Sequence, residues 1–317
     1  MARIAQETLI KHKNSPLNSQ SSNTTGKQSF WDQIDAILVI NLKHRNDRWE
    51  KLLSELKVFG VDKKAVRIEA IDGKKLPGYN QKPWFTKKTP ENVAKMKAGS
   101  AGCCLSHRKA IEFAKAQGYK RILLMEDDAR FKEEFNEAAD DFLSQFLRNI
   151  NQCDMLYLGF YQKTCVHVPT QKVHQDGLDY EIWKIRGPLM LHATVINERI
   201  YNRLLAGLPT AKVIWPWMTY WGSIDSWIQN KLGRQNDVYI YGCRPNLVVQ
   251  HANYSDICGR MLTVEESEGT HRESKLIPIS EKNFNESVEL PLIQKVQQTF
   301  KRTGRVVRAY CFGYSKT

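Results

Sequence analysis

Apolar positions along this chain fall into two patterns. Residues 36–41, Ala-Ile-Leu-Val-Ile-Asn, form a continuous apolar run. Such a run predicts a strand covered on both faces. A polar, basic stretch at 42–48 follows it. Trp49, Leu52, Leu53, Leu56 and Phe59 then recur at helical spacing, with Gly60 as a natural stop. Residues 66–70 predict a second strand and 71–73 a turn. This β-α-β opening predicts a parallel sheet. Residues 74–97 are weakly periodic, contain Lys and Pro, and predict a long loop. A helix is expected from Ala98, opened by the small residues Gly99 to Gly102 and closed by Gly118.

Residues 121–125 predict another buried strand, which runs directly into Glu126, Asp127 and Asp128. An amphipathic helical pattern spans 131–150. Further strands are expected at 154–159, 189–196, 238–241 and 246–251, with an antiparallel hairpin within 162–187. Asn197 is placed to cap a helix over 198–205. The expected fold is α/β, with a mostly parallel central sheet flanked by helices. Residues 1–29 are polar and predict a disordered tail, 30–260 a catalytic domain, and 261–317 a basic C-terminal extension packing on or beside it.

The acidic triplet carries the main chemical signal. Ligands bind at the carboxyl ends of strands in open α/β sheets. Mg²⁺ or Mn²⁺ takes one or two carboxylates together with substrate phosphates. The triplet is therefore either a cation site at a strand tip or a solvated acidic loop. Arg45 and Arg48, just past the first strand, either meet an anionic donor or carry surface charge. Ser106 and His107 either reach a cleft or pack beneath their helix. Residues 215–221, Trp-Pro-Trp-Met-Thr-Tyr-Trp, offer a stacking platform for an acceptor or fill the core. Asp225 either caps a helix or acts as a general base, a role that partial burial favours. His251, at the end of a strand, is a candidate to complete a metal sphere.

Charge narrows the partners. The chain has 317 residues with a formal net charge of +13 and a pI near 9.3, which favours anionic partners. The basic residues are spread along the chain without nucleic-acid-binding motifs, so no nucleic acid is expected. The basic stretch from Leu290 predicts either a solvated terminal helix or a peripheral contact with anionic lipid. Seven cysteines without a C-x-x-C pair, and an N-terminus without an apolar core, point to a reduced, cytoplasmic setting. No P-loop, G-x-G-x-x-G, H-E-x-x-H or G-x-S-x-G sequence occurs.

Five segments in order carry a family resemblance. They are Val39-Ile-Asn-Leu-Lys-His-Arg-Asn-Asp-Arg-Trp-Glu50, Gly102-Cys-Cys-Leu-Ser-His-Arg108, Leu124-Met-Glu-Asp-Asp128, Tyr157-Leu-Gly159 and Gln250-His-Ala-Asn-Tyr-Ser-Asp-Ile257. Together they resemble glycosyltransferase family 25, which includes lipooligosaccharide and collagen galactosyltransferases. The resemblance covers roughly residues 35–260. It implies a GT-A type nucleotide-sugar fold and an inverting, metal-dependent transfer of a hexose from a UDP-sugar donor to a glycan or glycoconjugate acceptor. It also implies that Val39, Asn41, Leu42, Arg45 and Arg48, with Ser106, His107, Glu126 and Asp127, line the donor. Asp128, Asp127 and His251 are the expected ligands of Mn²⁺ or Mg²⁺, and Asp225 the expected base. The rival classes are a non-catalytic glycan- or nucleotide-binding homologue and a nucleotidyltransferase.

Overall fold

The computed structural model describes residues 28–161, 165–252, 254–257, 260–261, 263, 276–286 and 292–312. The expected disordered tail lies outside the described residues, apart from its last two. At the centre stand β1 (Ala36–Asn41) and β3 (Arg121–Glu126), paired in parallel, with β2 (Ala65–Glu69) parallel on the outer side of β1. The opening β-α-β unit is completed by α1 (Asn46–Val58).

The remaining strands are β4 (Ala129–Phe131), β5 (Met155–Tyr157), β6 (Cys165–Gln175), β7 (Leu178–Ile185), β8 (Ala193–Asn197), β9 (Ile240–Arg244), β10 (Val248–Gln250), β11 (Tyr254–Ser255), β12 (Arg260–Met261) and β13 (Leu276–Pro278). Nine of the strands make one sheet in the order β13-β6-β7-β9-β5-β8-β3-β1-β2. It is parallel from β3 through β1 to β2 and mixed beyond, because β8 runs antiparallel to both β3 and β5. The expected hairpin is present as β6 and β7.

Strand alternation divides the core in two. Leu38, Ile40, Ile122 and Leu124 face α2 (Glu91–Ala116) and α4 (Glu198–Gly207), while Ile37, Val39, Leu123 and Met125 face α1 and α3 (Glu137–Asn149). Cover on both sides explains why β1 and β3 are apolar without interruption. Asn197 caps α4 as expected, accepting from the Arg199 N–H.

Two expectations are corrected. First, α2 begins at Glu91 rather than Ala98, so the loop between β2 and α2 is shorter than expected. Gly99 and Gly102 are inside this helix. A Cβ on Gly102 would stand 2.3 Å from the Ile71 carbonyl oxygen, and one on Gly99 would stand 2.7 Å from Ile257 Cα. Small residues are needed there for close approach of neighbouring backbone, not for starting the helix. Second, Phe131 and Phe135 precede α3 instead of lying on it. They pack with Trp31 and Phe59, and Asn136 caps α3 by accepting from Ala139 N–H.

The short helices α5 (Ile214–Trp221) and α6 (Ile224–Trp227) hold the aromatic run and Asp225. The chain ends in α7 (Glu281–Glu286) and α8 (Leu292–Phe312). On α8, Ala309 joins the core, Arg302 lies over the Trp221 ring and the Tyr310 ring meets Trp84 edge-on. Among the described residues no helix is long and apolar enough to cross a membrane.

Candidate active site

The carboxyl ends of β1 and β3 open into a cleft of about 380 Å³. Parallel pairing sets Ile40 beside Glu126, so Asn41 and the acidic triplet emerge together. The antiparallel β8 contributes the residues before it to the same edge, and the Glu126 N–H donates to the His192 carbonyl. Leu42, Ser106, Cys103, Lys74, His44, Asp225, Gln250 and Asp256 also line the cleft.

The three acids have different surroundings. Asp127 is fully engaged: Asn41 Nδ2 donates to its Oδ2 at 2.6 Å and Arg48 to its Oδ1 at 2.9 Å. Asp128 is held loosely, with Gln250 Nε2 at 3.4 Å and Arg48 at 3.8 Å. Glu126 Oε2 receives Gln250 Nε2 at 3.3 Å, while its Oε1 lies 3.7 Å from both Cys103 Sγ and His107 Nε2. Burial, reinforced by the charges of Asp128, Asp225 and Asp127, pushes the Glu126 carboxyl up to about 8. Burial also raises Asp128 and Asp127, against the pull of Arg48 on each.

Asp225 stands across the cleft on α6. It does not cap that helix; Ser223 does, accepting from the Ser226 N–H. Burial raises the Asp225 carboxyl to about 6, partly offset by the Met190 N–H. Its Oδ1 is shut from solvent without a hydrogen-bond partner. A buried acceptor left unpaired in this way is costly unless something else meets it.

Other expected site residues sit differently. Val39 is wholly buried on the opposite face of β1, among residues that pack on α1 and α3. Arg45 turns to Asp47 and Asp256, reaching the latter at 2.6 Å. Ser106 Oγ donates to the Gly102 carbonyl and accepts from the Ile71 N–H, fixing the loop after β2 at the cleft wall. His107 is buried beneath the helix, with Nδ1 3.0 Å from the Cys103 carbonyl. His251 meets Asp128 through backbone alone, its N–H on the Asp128 carbonyl at 2.6 Å. Burial lowers the pKa of its imidazole, helped by the charges of Lys51 and Arg130, and the residue does not line the cleft.

Sequence reasoning missed Gln250, Asp256 and Cys103. Asp256 ties Arg45 and faces Arg48, and Gln250 bridges Glu126 and Asp128. All three lie within the segments that carry the family resemblance, which was the available signal.

Trp215 and Trp217 of the aromatic run are held by packing and hydrogen bonds. Trp215 is buried, with Nε1 donating to the Pro77 carbonyl at 2.6 Å, and Trp217 Nε1 donates to the Gly207 carbonyl. Neither ring lines the cleft.

Known proteins similar to this chain are the following. Residues 34–180 match the model of glycosyltransferase family 25, described as an LPS biosynthesis protein family. The chain is similar to inactive glycosyltransferase 25 family member 3 of Mus musculus, 27% identical over 200 residues, covering 57% of this chain and 30% of that one. It is 27% identical over 203 residues to procollagen galactosyltransferase 1 of Danio rerio, covering 59% and 31%. To a glycosyltransferase 25 family member of Drosophila melanogaster it is 32% identical over 139 residues, covering 40% and 21%. The chain thus spans less than a third of the length of these relatives. Among solved structures it resembles mannose-1-phosphate geranyltransferase of Thermus thermophilus at a TM-score of 0.30 and 12% identity, covering 66% of this chain and 73% of that one. Over residues 34–180 the chain is therefore similar to glycosyltransferase family 25.

Proposed function

We propose that this chain is an inverting hexosyltransferase that moves galactose or glucose from a UDP-sugar to a glycan or glycoconjugate, with Mn²⁺ or Mg²⁺ at the carboxylate cluster. The observation that carries this reading is the charge of the cleft. Six carboxylates, Asp72, Glu126, Asp127, Asp128, Asp225 and Asp256, line it against Arg48 and Lys74. A diphosphate entering such a cleft would be repelled without a cation. The donor set fits one: hard carboxylate oxygens, two of them loosely held, at a strand tip. Asp128 is the best placed ligand, because Asp127 is already committed to Asn41 and Arg48. A divalent cation there supplies neutralisation of the charge that develops on the leaving diphosphate.

The chain's own residues supply the rest. Arg48 holds Asp127 and approaches Asp128 and Asp256, which fixes the cluster before any ligand arrives. Asp225 is a lone carboxylate on the far wall, poised near neutral pH. In this reading it accepts the proton of the acceptor hydroxyl as that oxygen bonds to the anomeric carbon. The bond from that carbon to the phosphate oxygen breaks, and its electron pair leaves with UDP. A GT-A type fold, with the domain at 30–260 and an extension at 261–317, belongs to the same reading.

Some relatives are named as inactive, so a non-catalytic nucleotide- or glycan-binding homologue is the rival. A panel of nucleotide sugars incubated with and without Mn²⁺ separates the two. Metal-dependent release of UDP from one donor is expected. Tight UDP binding with no release from any donor, with or without candidate acceptors, sinks the transferase reading.

A further inference from the structure

Cys103, His107 and Glu126 form a second cluster on the wall of the cleft. One turn of α2 separates Cys103 from His107, so both side chains project from one helix face. Glu126 reaches them from the tip of β3. One potential ligand atom from each residue lies within 4.8 Å of the other two. Cys103 Sγ and His107 Nε2 each stand 3.7 Å from Glu126 Oε1. Ligand atoms on a tetrahedral zinc ion, with bonds of about 2.0–2.3 Å, sit about 3.3–3.8 Å apart. Both contacts to Glu126 fall in this range; Cys103 Sγ approaches the ring at Nδ1, 3.6 Å away, so a small rotation of the Cys103 side chain would be needed to bring it onto an ion at Nε2.

The orientation of the imidazole is the second observation. His107 is 2% exposed. Its Nδ1 lies 3.0 Å from the Cys103 carbonyl, which makes Nδ1–H the donor and leaves the Nε2 lone pair free. Nε2 makes no hydrogen bond of normal geometry and lies 3.7 Å from Glu126 Oε1, although the Leu191 backbone also acts on the ring. Metal-binding histidines are characteristically held in this way, with the other ring N–H on a backbone carbonyl. Burial keeps this imidazole neutral, which is the ligating form. The Cys103 thiol, by contrast, is held protonated by burial and the nearby carboxylates. Coordination itself removes that proton, as it does for thiols generally.

We propose that Cys103, His107 and Glu126 bind a thiophilic divalent cation of the zinc class, at a site distinct from the oxygen-lined position at Asp128. The two sites select different ions. Thiolate and imidazole favour zinc, whereas carboxylates and phosphates favour Mg²⁺ or Mn²⁺. Cys103 and Glu126 both line the cleft, so the fourth position opens into it. The assignment rests on the ligand geometry alone and stands whether or not the chain transfers sugar.

Cobalt(II) titration of the metal-free full chain tests it. The expected result is one equivalent of cobalt with an intense near-ultraviolet thiolate-to-cobalt band, displaced by zinc and not by Mg²⁺. Cys103→Ser should abolish the band, and His107→Asn should weaken zinc binding more than the roughly 10–100-fold that loss of an outer partner costs. Asp128→Asn should keep the band, which separates this site from the proposed catalytic cation. Far-UV circular dichroism confirms folding of each variant. If Cys103→Ser does not fold, the Asp128→Asn and His107→Asn pair decides. No band in the folded native chain, a band that survives Cys103→Ser, or unchanged zinc affinity in His107→Asn overturns the proposal.

Discussion

The carboxylate cleft and the aromatic helix α5 are both dense clusters of residues that commonly bind ligands, yet their polar atoms are treated in opposite ways. On α5 the Trp215 and Trp217 N–H groups are each paired with a backbone carbonyl, and Arg302 covers Trp221. The N–H groups of those two indoles are therefore not open to a ligand. In the cleft, Asp225 Oδ1 and His107 Nε2 are buried without partners, and Glu126 is crowded by three like charges. Buried polar groups are normally paired, so those left unpaired in the cleft are atoms that a ligand or water could satisfy. Composition alone would have ranked the two clusters alike; the state of their polar atoms separates them.

The largest expected effect is on the cleft side. Asp225→Asn should lower turnover by about 10²–10⁴-fold, the usual worth of a general base, while calorimetric nucleotide binding stays unchanged. The native rate should rise with pH through about 6 as Asp225 loses its proton, and the variant should lack that limb. Normal turnover in Asp225→Asn would remove the base from the mechanism.

On the aromatic side, Trp215→Ala should cost about 3–5 kcal/mol of stability in denaturant unfolding, as buried Trp truncations do. The acceptor KM of the remaining folded protein should not change. A raised KM with little loss of stability would restore α5 as an acceptor platform and dissolve the contrast.

Within the cleft, Asp128→Asn and Asp127→Asn should diverge. The first should reduce UDP affinity in Mn²⁺ to its metal-free value. The second should chiefly lower thermal stability, because it disturbs the pairings with Arg48 and Asn41. Equal loss of metal-dependent affinity in both would make Asp127 a ligand as well.

The smallest effect concerns pH. The Glu126 carboxyl is raised from the ordinary 4.5 to about 8. Between those values the folded chain holds this proton more firmly than the unfolded chain, so stability falls as pH rises through the window. Glu126→Gln removes the penalty and should raise Tm at pH 8 more than at pH 5, by about 2–4 °C for each kcal/mol gained. Mn²⁺ should narrow the difference between the two proteins.

Legibility followed the strength of local pattern. β1 and β3 were readable because runs such as Ile-Leu-Val-Ile have no other stable disposition than burial on both faces. The start of α2 was not, because residues 91–97 carry few apolar positions; Glu91 pairs with Lys95 along the surface instead. His251 and Gln250 show the limit for single side chains. They are neighbours at the end of a strand, and alternation sends Gln250 to the carboxylates and His251 out of the cleft lining. A shift of one residue, invisible in composition, exchanges their places. Val39 fails as a cleft residue for the same reason, while Ile40 beside it lines the cleft.

The sequence by itself determined that a buried strand would deliver three carboxylates to a strand tip, because apolar continuity and the abrupt change to charge are local properties. Only the tertiary structure decided how those carboxylates differ. Asn41 and Arg48 arrive from another strand and helix to satisfy Asp127, Gln250 arrives from a segment more than a hundred residues later, and Asp225 faces them from α6. The charge state and freedom of each acid depend on these long-range neighbours, and no local pattern encodes them.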